Sequence, residues 1–515
     1  MARGARLATQ AVMCKTTRSL PQRSLSTVLW LCLTAAGAAA VDPAAAPGLP
    51  AARARTIERY VKDAMRSARI PGLALAIVDG DRLVYLRGFG RADPSGRPVT
   101  PQTPFCIGSV TKSFTALAIM QLVDAGKVEL DAPLRRYLPW FRVADPVASG
   151  RITVRQLLTM TSGLPELYDV QRWRTEDRHA IERAVRRLAT EDLARPIGAF
   201  GYSNSNYQAL GLVVQAVSGL SYEDYVTRRI FEPLDMRNSF AVHDDALRDG
   251  LATGHRWWFG VPVSYVQADN RAELPAGYLY ASVEDIGHYL IAQLNGGRYE
   301  GRHVLSDAGM AALHAEPPSG AYGMGWESIR VGGHRLINHD GGTANFQTSA
   351  FFDDDARVGV FLAANVIDAL DALSSPHGAS RLDGSTLRGM AMNVLSLAAN
   401  RPWPPQGPGR RRVILIFDAT ILVLTLALAA GLIGMPGRRR TGSVRTPRRY
   451  VAAALACFVV PALLAYLVVE VPAWGVLVEF QPDLSIWAGA VAIVLLVRGA
   501  IDLEAARRAR RAATA

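Results

Sequence analysis

The sequence predicts an α+β fold in which an antiparallel sheet, flanked by helices, is assembled from both ends of one domain spanning residues 51–400. Strand-like segments open this domain, helical segments fill its middle, and strand-like segments return near its end. This order inserts an all-helical subdomain into the sheet and creates a cleft where the sheet meets the helices. Three apolar segments follow the domain and predict three transmembrane helices.

The first predicted elements are a helix and a hairpin. Between Ala54 and Ser67 apolar residues recur at helical spacing, which predicts an amphipathic helix. Two apolar runs follow, Leu73 to Val78 and Arg82 to Phe89, separated by Asp79-Gly80-Asp81. Asp-Gly between apolar runs is typical of a tight turn, so the two runs are expected to pair as strands.

The remainder of the domain is mainly helical and then returns to strands. From Val110 to about Leu294 the pattern is helical, with long loops near Pro262 to Pro275. Strand patterns follow at Arg335 to His339, Phe346 to Phe352 and Val358 to Ala363, with a turn at residues 353–357. A final helix from Ser385 to Ala399 closes the domain.

Ser109 and Lys112 form the first candidate pair of functional residues. Only four of the 57 basic residues of the chain are lysines, and Lys112 stands three residues after Ser109 at the start of a predicted buried helix. Helical residues three apart share a face, so the amine can reach the hydroxyl. A buried lysine can lose its proton and act as a base, which arginine cannot do. Ser-x-x-Lys at the start of a helix is typical of acyl-transfer nucleophiles, although a single pair also arises by chance.

Two further polar segments are placed to form the other walls of the cleft. Tyr202-Ser203-Asn204 precedes a predicted helix from Gln208 to Val217, and Asn338 to Thr343 ends a strand with glycines that are expected to let a substrate backbone approach closely. Each has a structural alternative, since Tyr202 can be a packed aromatic, Asn204 a helix cap, and His339 a structural histidine. Three such segments together are expected to form one active site.

These segments resemble those of the serine penicillin-recognising hydrolases, which include class C β-lactamases, D-Ala-D-Ala carboxypeptidases, D-aminopeptidases and related esterases. That family carries Ser-x-x-Lys, Tyr-x-Asn and a Lys- or His-x-Gly box in this order, and the matches here are Ser109/Lys112, Tyr202/Asn204 and His339/Gly341. The segment from Ile152 to Pro165 also looks like the helix and turn that the family has between its first two boxes. The resemblance covers about residues 55–398 and implies a β-lactamase/transpeptidase-like fold.

The resemblance also implies catalytic roles. Ser109 is the expected nucleophile, and it needs a base because a free hydroxyl is a poor nucleophile. Lys112 and Tyr202 are the two candidate bases, and the sequence leaves both open. The backbone N–H groups of Ser109 and Gly342 match the positions that form the oxyanion hole of the family.

Substrate binding is expected from Asn204 and from the third box. Asn204 would hold the lysine or a substrate amide, and His339, Asp340 and Gly341 would line the substrate side of the cleft. The best-known carboxylate-binding members of the family usually have Thr or Ser where this chain has Asp340. If this carboxylate faces the cleft, it repels a substrate carboxylate and suits a neutral or amine-bearing substrate. The alternative is that Asp340 turns away to solvent. His339 in place of a lysine is more similar to the peptidase and esterase members than to class C β-lactamases.

The two ends of the chain carry export and membrane signals. Residues 1–40 hold basic residues, then an apolar run, then Ala38-Ala39-Ala40, which is typical of a secretory signal; an uncleaved anchor is the alternative. A Pro/Gly/Arg-rich linker at residues 401–412 precedes a membrane region at residues 413–503. The predicted spans are Val413 to Met435, Val451 to Val471 and Leu484 to Ala500, each close to the length that crosses ~30 Å of hydrocarbon.

Arginine placement predicts the orientation in the membrane. Six arginines lie between residues 438 and 449, and four more lie in a basic tail at residues 504–515. By the positive-inside rule both segments are cytoplasmic, although Arg410 to Arg412 argue the other way. The expected product is a multi-pass protein of the cytoplasmic membrane with its catalytic domain extracytoplasmic.

Composition argues against several other classes of function. The formal net charge of +12 is concentrated at the two ends of the chain, so residues 41–400 are close to neutral and no nucleic-acid-binding surface is predicted. No His/Cys pattern of a metal site occurs, and no cofactor is expected. Cys106 can be a nucleophile or a packed core thiol. The expected partners are a small ester, amide or peptide substrate and membrane lipid.

The function expected from these features is that of a serine hydrolase acting through an acyl-enzyme on esters or D-amino-acid-containing peptides. One alternative is a β-lactamase or D-Ala-D-Ala carboxypeptidase. Another is a membrane signalling protein whose hydrolase-like domain binds a cell-wall fragment without turnover.

Overall fold

The centre of the molecule is a six-stranded antiparallel sheet with the strand order β10-β11-β12-β13-β1-β2. The computed structural model describes residues 48–167, 177, 179–258, 261–267, 269–317, 322–367, 387–401, 422–423, 425–426, 447–470 and 482–514. The strands are β1 (Gly72–Asp79), β2 (Arg82–Gly90), β3 (Phe105–Cys106), β4 (Ser239–Phe240), β5 (His255–Trp258), β6 (Val261–Ser264), β7 (Tyr280–Ala281), β8 (Arg298–Tyr299), β9 (Arg302–His303), β10 (Glu327–Val331), β11 (His334–Gly342), β12 (Gln347–Asp353) and β13 (Val358–Ala364).

Helices cover both faces of this sheet. They are α1 (Ala51–Ala68), α2 (Thr111–Asp124), α3 (Pro146–Arg151), α4 (Val154–Leu158), α5 (Ala180–Arg187), α6 (Asn204–Ser218), α7 (Tyr222–Val226), α8 (His243–Arg248), α9 (Leu274–Gly277), α10 (Val283–Leu294), α11 (Asp307–Leu313), α12 (Leu387–Ala399), α13 (Pro447–Glu470) and α14 (Pro482–Thr514). The predicted first helix, first hairpin, last three strands and closing helix are all confirmed, with ends that differ by a few residues. β10 was not predicted.

The pairing of β1 with β13 joins the two ends of the domain. Leu73 lies opposite Ala364 in this antiparallel pair, and β2 completes the edge beyond β1. The prediction that the sheet is assembled from both ends of the domain is therefore confirmed.

β1 is buried on both faces and separates two hydrophobic cores. Its leucines and isoleucine, Leu73, Leu75 and Ile77, pack with residues of α1 and α12. The alternate residues Ala74 and Ala76 face the core formed with the helical block. A strand that is covered on both sides reads as a continuous apolar run, as this one does.

The inserted block is not all-helical, which corrects one part of the prediction. β3, β7 and β4 form a small three-stranded sheet, and β5–β6 and β8–β9 form two hairpins. Most of these strands are two residues long, too short to produce the alternation that identifies a strand in a sequence. The first part of the predicted loop near Pro262 is the strand β6.

The membrane prediction is confirmed only in part. Within the described residues, one helix is long and apolar enough to cross a membrane, Asp483–Ala512 in α14, which contains an 18-residue stretch of mean hydropathy 2.1. The second predicted span falls in α13, in which Tyr450–Val459 is the apolar stretch within the described residues. The first span, the export signal and residues 402–412 of the linker lie outside the described residues, apart from four positions between 422 and 426. Of the three spans expected, the described part of the chain therefore contains one candidate.

Candidate active site

Ser109 lies in a single 3-10 turn, Gly108–Val110, that leads directly into α2. α2 is buried along almost its whole length, as expected for an apolar helix at the centre of a domain. Gly108 has a φ of 54°, and a Cβ atom at this position would lie 2.4 Å from the backbone nitrogen of Gly342. Glycine is required here because it lets the turn that carries Ser109 pack against the end of β11.

Lys112 is directed at the Ser109 hydroxyl. Its Nζ lies 2.9 Å from Ser109 Oγ and donates to the carbonyl oxygen of Ala276 at 2.6 Å. The side chain is completely buried. Burial lowers the pKa of Lys112 to about 7, although the negative charges of Glu166 and Glu273 oppose this shift. Near neutral pH a large fraction of the amine is therefore unprotonated and can accept a proton.

Tyr202 reaches the same hydroxyl from the other side. Its OH donates to Ser109 Oγ at 2.9 Å, and Lys112 Nζ lies 4.9 Å from the centre of its ring. A lysine ammonium at this distance is attracted by the ring and would also stabilise a phenolate. Both predicted bases are thus in hydrogen-bond contact with the predicted nucleophile.

Asn204 begins α6 and is held by a carboxylate that the sequence did not single out. Its Nδ2 donates to Glu166 Oε1 at 2.8 Å, and its backbone N–H donates to Glu166 Oε2. The Oδ1 atom of Asn204 is buried and has no hydrogen-bond partner within the described structure. Of the two roles expected for Asn204, holding Lys112 is not seen, and binding a substrate amide stays a prediction.

The segment that carries Glu166 is fastened to the start of α6. The hydroxyls of Ser203 and Ser205 both donate to the carbonyl oxygen of Pro165 at 2.9 Å. Burial raises the pKa of Glu166, while the hydrogen bonds from Asn204 and the charge of Lys112 act in the opposite direction. The family-like segment Ile152 to Pro165 ends one residue before Glu166, and it was the signal that could have identified this residue.

His339 is buried and is linked to the nucleophile through Tyr322. Its Nδ1 lies 2.7 Å from the carbonyl oxygen of Asp340, and its Nε2 lies 3.1 Å from the OH of Tyr322. A carbonyl oxygen only accepts, so Nδ1 carries the proton and Nε2 accepts from Tyr322. Tyr322 in turn packs edge-on against Tyr202, with ring centres 6.1 Å apart. His339 thus contacts Tyr322, which supports Tyr202.

The glycines of the third box bring β11 against the nucleophile. A Cβ atom at Gly341 would lie 2.0 Å from the carbonyl oxygen of Ile107, and Gly341 is buried. The backbone that Gly341 admits is therefore that of the protein itself, and not the substrate backbone that we expected. Gly342 is exposed and lies beside Gly108, so its backbone and that of Ser109 border the same space.

Asp340 does not face the cleft. Its Oδ1 accepts from Ser349 Oγ at 2.6 Å, and its Oδ2 is paired with the guanidinium of Arg388 on α12. Arg388 also bonds Glu327 at 3.1 Å. Successive side chains of a strand point to opposite faces, so Asp340 is directed away from the side of His339 and Gly341. The expectation that the Asp340 carboxylate faces the cleft is wrong. The alternative, that Asp340 turns away to solvent, is right about its direction but not about its surroundings, because Arg388 pairs with the carboxylate.

Comparison with known proteins agrees with this geometry. A sequence model of the Beta-lactamase family matches residues 57–370, which is more than half of the chain. The chain belongs to this family. Penicillin-binding protein 4 of Amycolatopsis lactamdurans is 31% identical over 312 residues, covering 57% of this chain and 80% of that protein. Protein flp of Staphylococcus aureus strain N315 is 28% identical over 313 residues, and the match spans 60% of this chain but only 62% of the relative.

A solved structure is also similar to this chain in fold. The octameric penicillin-binding protein homologue from Pyrococcus abyssi matches with a TM-score of 0.56 and 26% identity, over 68% of this chain and 78% of that one. The sequence-based resemblance to β-lactamases and penicillin-binding proteins is confirmed, as is a β-lactamase-like fold with mixed helix and sheet.

Cys106 is a core residue of this beta-lactamase-family domain. It is 3% exposed, and its Sγ lies 3.6 Å from the carbonyl oxygen of Gly277. Burial raises the pKa of its thiol to about 12. Because the thiolate is the reactive form, this environment favours the packed thiol over the nucleophile.

Proposed function

We propose that this chain is a membrane-anchored, extracytoplasmic serine hydrolase that forms an acyl-enzyme with esters or D-amino-acid-containing peptides. The observation that carries the proposal is the position of Ser109 Oγ, 2.9 Å from both Lys112 Nζ and Tyr202 OH. A hydroxyl between two groups that can remove its proton is the arrangement required of an activated nucleophile.

Acylation begins when Ser109 Oγ attacks the substrate carbonyl carbon. The neutral amine of Lys112 keeps one N–H on the carbonyl oxygen of Ala276 and offers its lone pair to the Ser109 proton. A Tyr202 phenolate is the other acceptor for this proton, and the geometry favours neither. The backbone N–H groups of Ser109 and Gly342 stabilise the negative oxygen that forms on the substrate.

The leaving group then departs with the proton taken from Ser109. Collapse of the tetrahedral intermediate breaks the scissile bond and leaves the acyl group on Ser109 Oγ. Water attacks this ester with the same base accepting its proton, which releases the acid and restores the hydroxyl. During these steps Asn204 Oδ1 accepts an N–H of an amide substrate, because it is a buried oxygen that needs a donor.

A β-lactamase or D-Ala-D-Ala carboxypeptidase is a second candidate. The position of Asp340 makes this activity more compatible with the site than the sequence indicated. The main argument against a substrate carboxylate was repulsion by Asp340. Since Arg388 pairs with that side chain on the other side of β11, the repulsion is removed. His339 in place of a lysine still supports an esterase or peptidase activity.

Anchoring and orientation rest on α14 and on the arginines around it. Its 18-residue stretch of mean hydropathy 2.1 is long enough to cross a bilayer. The arginines of the tail support a cytoplasmic C-terminus, with the catalytic domain on the other side when an odd number of helices crosses.

The test is active-site labelling of the full chain in detergent. We expect a fluorophosphonate or a fluorescent penicillin to label the chain, and Ser109→Ala to lose the label while remaining folded. Turnover of p-nitrophenyl esters, D-aminoacyl anilides and nitrocefin then separates the candidate activities. Absence of Ser109-dependent labelling by both probes, together with no turnover, would contradict the hydrolase and favour a domain that binds a cell-wall fragment without hydrolysing it.

A further inference from the structure

The β5–β6 hairpin exposes one apolar face. Because Arg256 pairs with Val263 and Trp258 with Val261, these four side chains project from the same face. Trp258 is 38% exposed, Val261 54% and Val263 46%. Arg256 lies at the base of this face, with its guanidinium 3.8 Å from the ring centre of Tyr265.

The apolar surface continues beyond the hairpin. Val266 is 79% exposed and Leu247, on α8, is 50% exposed. Both residues line a small apolar cavity that also contacts Phe346. Five exposed apolar side chains in one region are more than scattered surface residues explain, and such surfaces mark interaction sites.

The position of the C-terminal helix indicates what this surface contacts. α14, the candidate membrane span, approaches β5 to within 8 Å between Cα atoms. A segment beside a membrane-spanning helix lies at or near the bilayer.

We propose that the apolar hairpin face inserts into the interface of the lipid bilayer and holds the hydrolase domain against the membrane. This inference rests on the membrane anchoring proposed above. Tryptophan, tyrosine and valine with an arginine beside them are the side chains that the headgroup boundary accommodates. The first turn of the neighbouring helix α8 carries Asp244 and Asp245, so the contact is apolar and does not depend on anionic lipid.

Membrane contact through the hairpin would also orient the active site. Asn345 Nδ2 donates to the carbonyl oxygen of Tyr265 at 2.9 Å, which ties the end of the hairpin to the turn that follows Gly342. His255 Nδ1 lies 2.9 Å from the carbonyl oxygen of Asn365, next to the end of β13. A hairpin seated in lipid would therefore keep this edge of the cleft close to the membrane surface.

The test places a nitroxide label on the hairpin of the full chain in phosphatidylcholine liposomes. Val263→Cys is labelled in a background where Cys14, Cys32 and Cys457 are alanine, because the buried Cys106 does not react. His303→Cys is the matched control, since His303 is exposed on the other hairpin, β8–β9. We expect the label at residue 263 to be severalfold less accessible to a water-soluble nickel complex, and more accessible to oxygen, than the label at residue 303.

The outcomes separate the proposals. Flotation of the chain with liposomes tests anchoring, and a chain that does not float contradicts the proposed function. If the chain floats but residue 263 is as accessible to nickel as residue 303, only the hairpin proposal fails. If the label at residue 263 is protected from nickel only at low lipid-to-protein ratio, the hairpin contacts a second copy of the chain. This result would also overturn the hairpin proposal. Val261→Asp with Val263→Cys should restore access to nickel.

Discussion

Lys112 is subject to two opposing influences on its pKa. Burial disfavours the ammonium, whereas the carboxylates of Glu166 and Glu273 stabilise it. Burial is the larger influence, and the resulting pKa of about 7 puts the amine in the range where a general base is most effective. An arginine at this position would stay charged, which explains why a chain so poor in lysine has one here.

Replacing Lys112 by arginine should remove the base while keeping the positive charge. We expect kcat for a Ser109-dependent ester to fall about 10²- to 10⁴-fold, because arginine cannot accept the serine proton. Lys127→Arg, on the exposed surface after α2, is the matched control and should retain full activity. A Lys112→Arg enzyme with normal kcat would identify Tyr202 as the base, which Tyr202→Phe then checks.

The pH profile should report the state of Lys112. Because its pKa is lowered to about 7, the amine is protonated and inactive at lower pH. We expect kcat/KM to rise about tenfold per pH unit below 7 and to level off above it. Steady-state kinetics between pH 5.5 and 8.5 measure this, and a flat profile over that range would contradict a titrating lysine base.

Glu166 should position Asn204 and tune Lys112. Glu166→Gln removes a negative charge that raises the pKa of Lys112, so the acid limb of the kcat/KM profile should move to lower pH. The control is Glu129→Gln, an exposed carboxylate that is paired with Arg136. If Glu166 has only a structural role, Glu166→Gln should lower kcat/KM without shifting the acid limb of its pH profile.

Among the secondary-structure elements, α12 carries an arginine that pairs with two strands of the sheet. Arg388 is 10% exposed and is paired with Glu327 on β10 and Asp340 on β11. Burial by itself would lower the pKa of Arg388, but the two carboxylates together raise it, so the guanidinium stays charged. Asp340 thus belongs to the contact between a helix and the sheet, on the opposite face from the catalytic groups.

Removing this arginine should destabilise the fold more than removing a surface arginine. We expect Arg388→Met to lower the free energy of unfolding by about 3 kcal/mol, since two partly buried carboxylates lose their partner. Arg330→Met, which breaks the exposed pair with Glu316, should cost about 0–1 kcal/mol. Guanidinium unfolding compares the two variants, and equal midpoints would contradict the role of Arg388.

The molecule as a whole consists of a hydrolase domain followed by apolar helices. The two large cores of the described structure contain residues between Ala54 and Ala398 and none from α13 or α14. The domain should therefore not need the C-terminal region to fold.

A chain that ends at Arg401 should be active and soluble. We expect unchanged kcat on a soluble ester, because every residue placed at the site precedes α12. In buffer without lipid or detergent, ultracentrifugation should leave this chain in the supernatant, whereas the full chain should sediment. Loss of activity in a folded truncated chain would show that the C-terminal helices take part in the site.

Much of the site could be predicted because its chemistry is local. Ser109 and Lys112 are three residues apart at the start of one helix, so their contact follows from helical geometry. Tyr202 also carries its own signal, since its residue type and its place in a three-residue box are visible in the sequence. Glu166 has only the family-like segment before it as a signal and Tyr322 has none, because their contacts with Asn204, Tyr202 and His339 are created only by folding.

The sequence by itself determined the helix, hairpin and strands that open and close the domain, the family, and the closeness of Lys112 to Ser109, because periodicity and short-range spacing encode these features. Only the tertiary structure decided the direction of Asp340, the packing role of Gly341 and the carboxylate that holds Asn204. The strand alternation puts Asp340 on one face of β11, but which face meets the cleft is set by how α12 and α2 pack on the sheet. That packing joins residues far apart in the chain, and no local pattern specifies it.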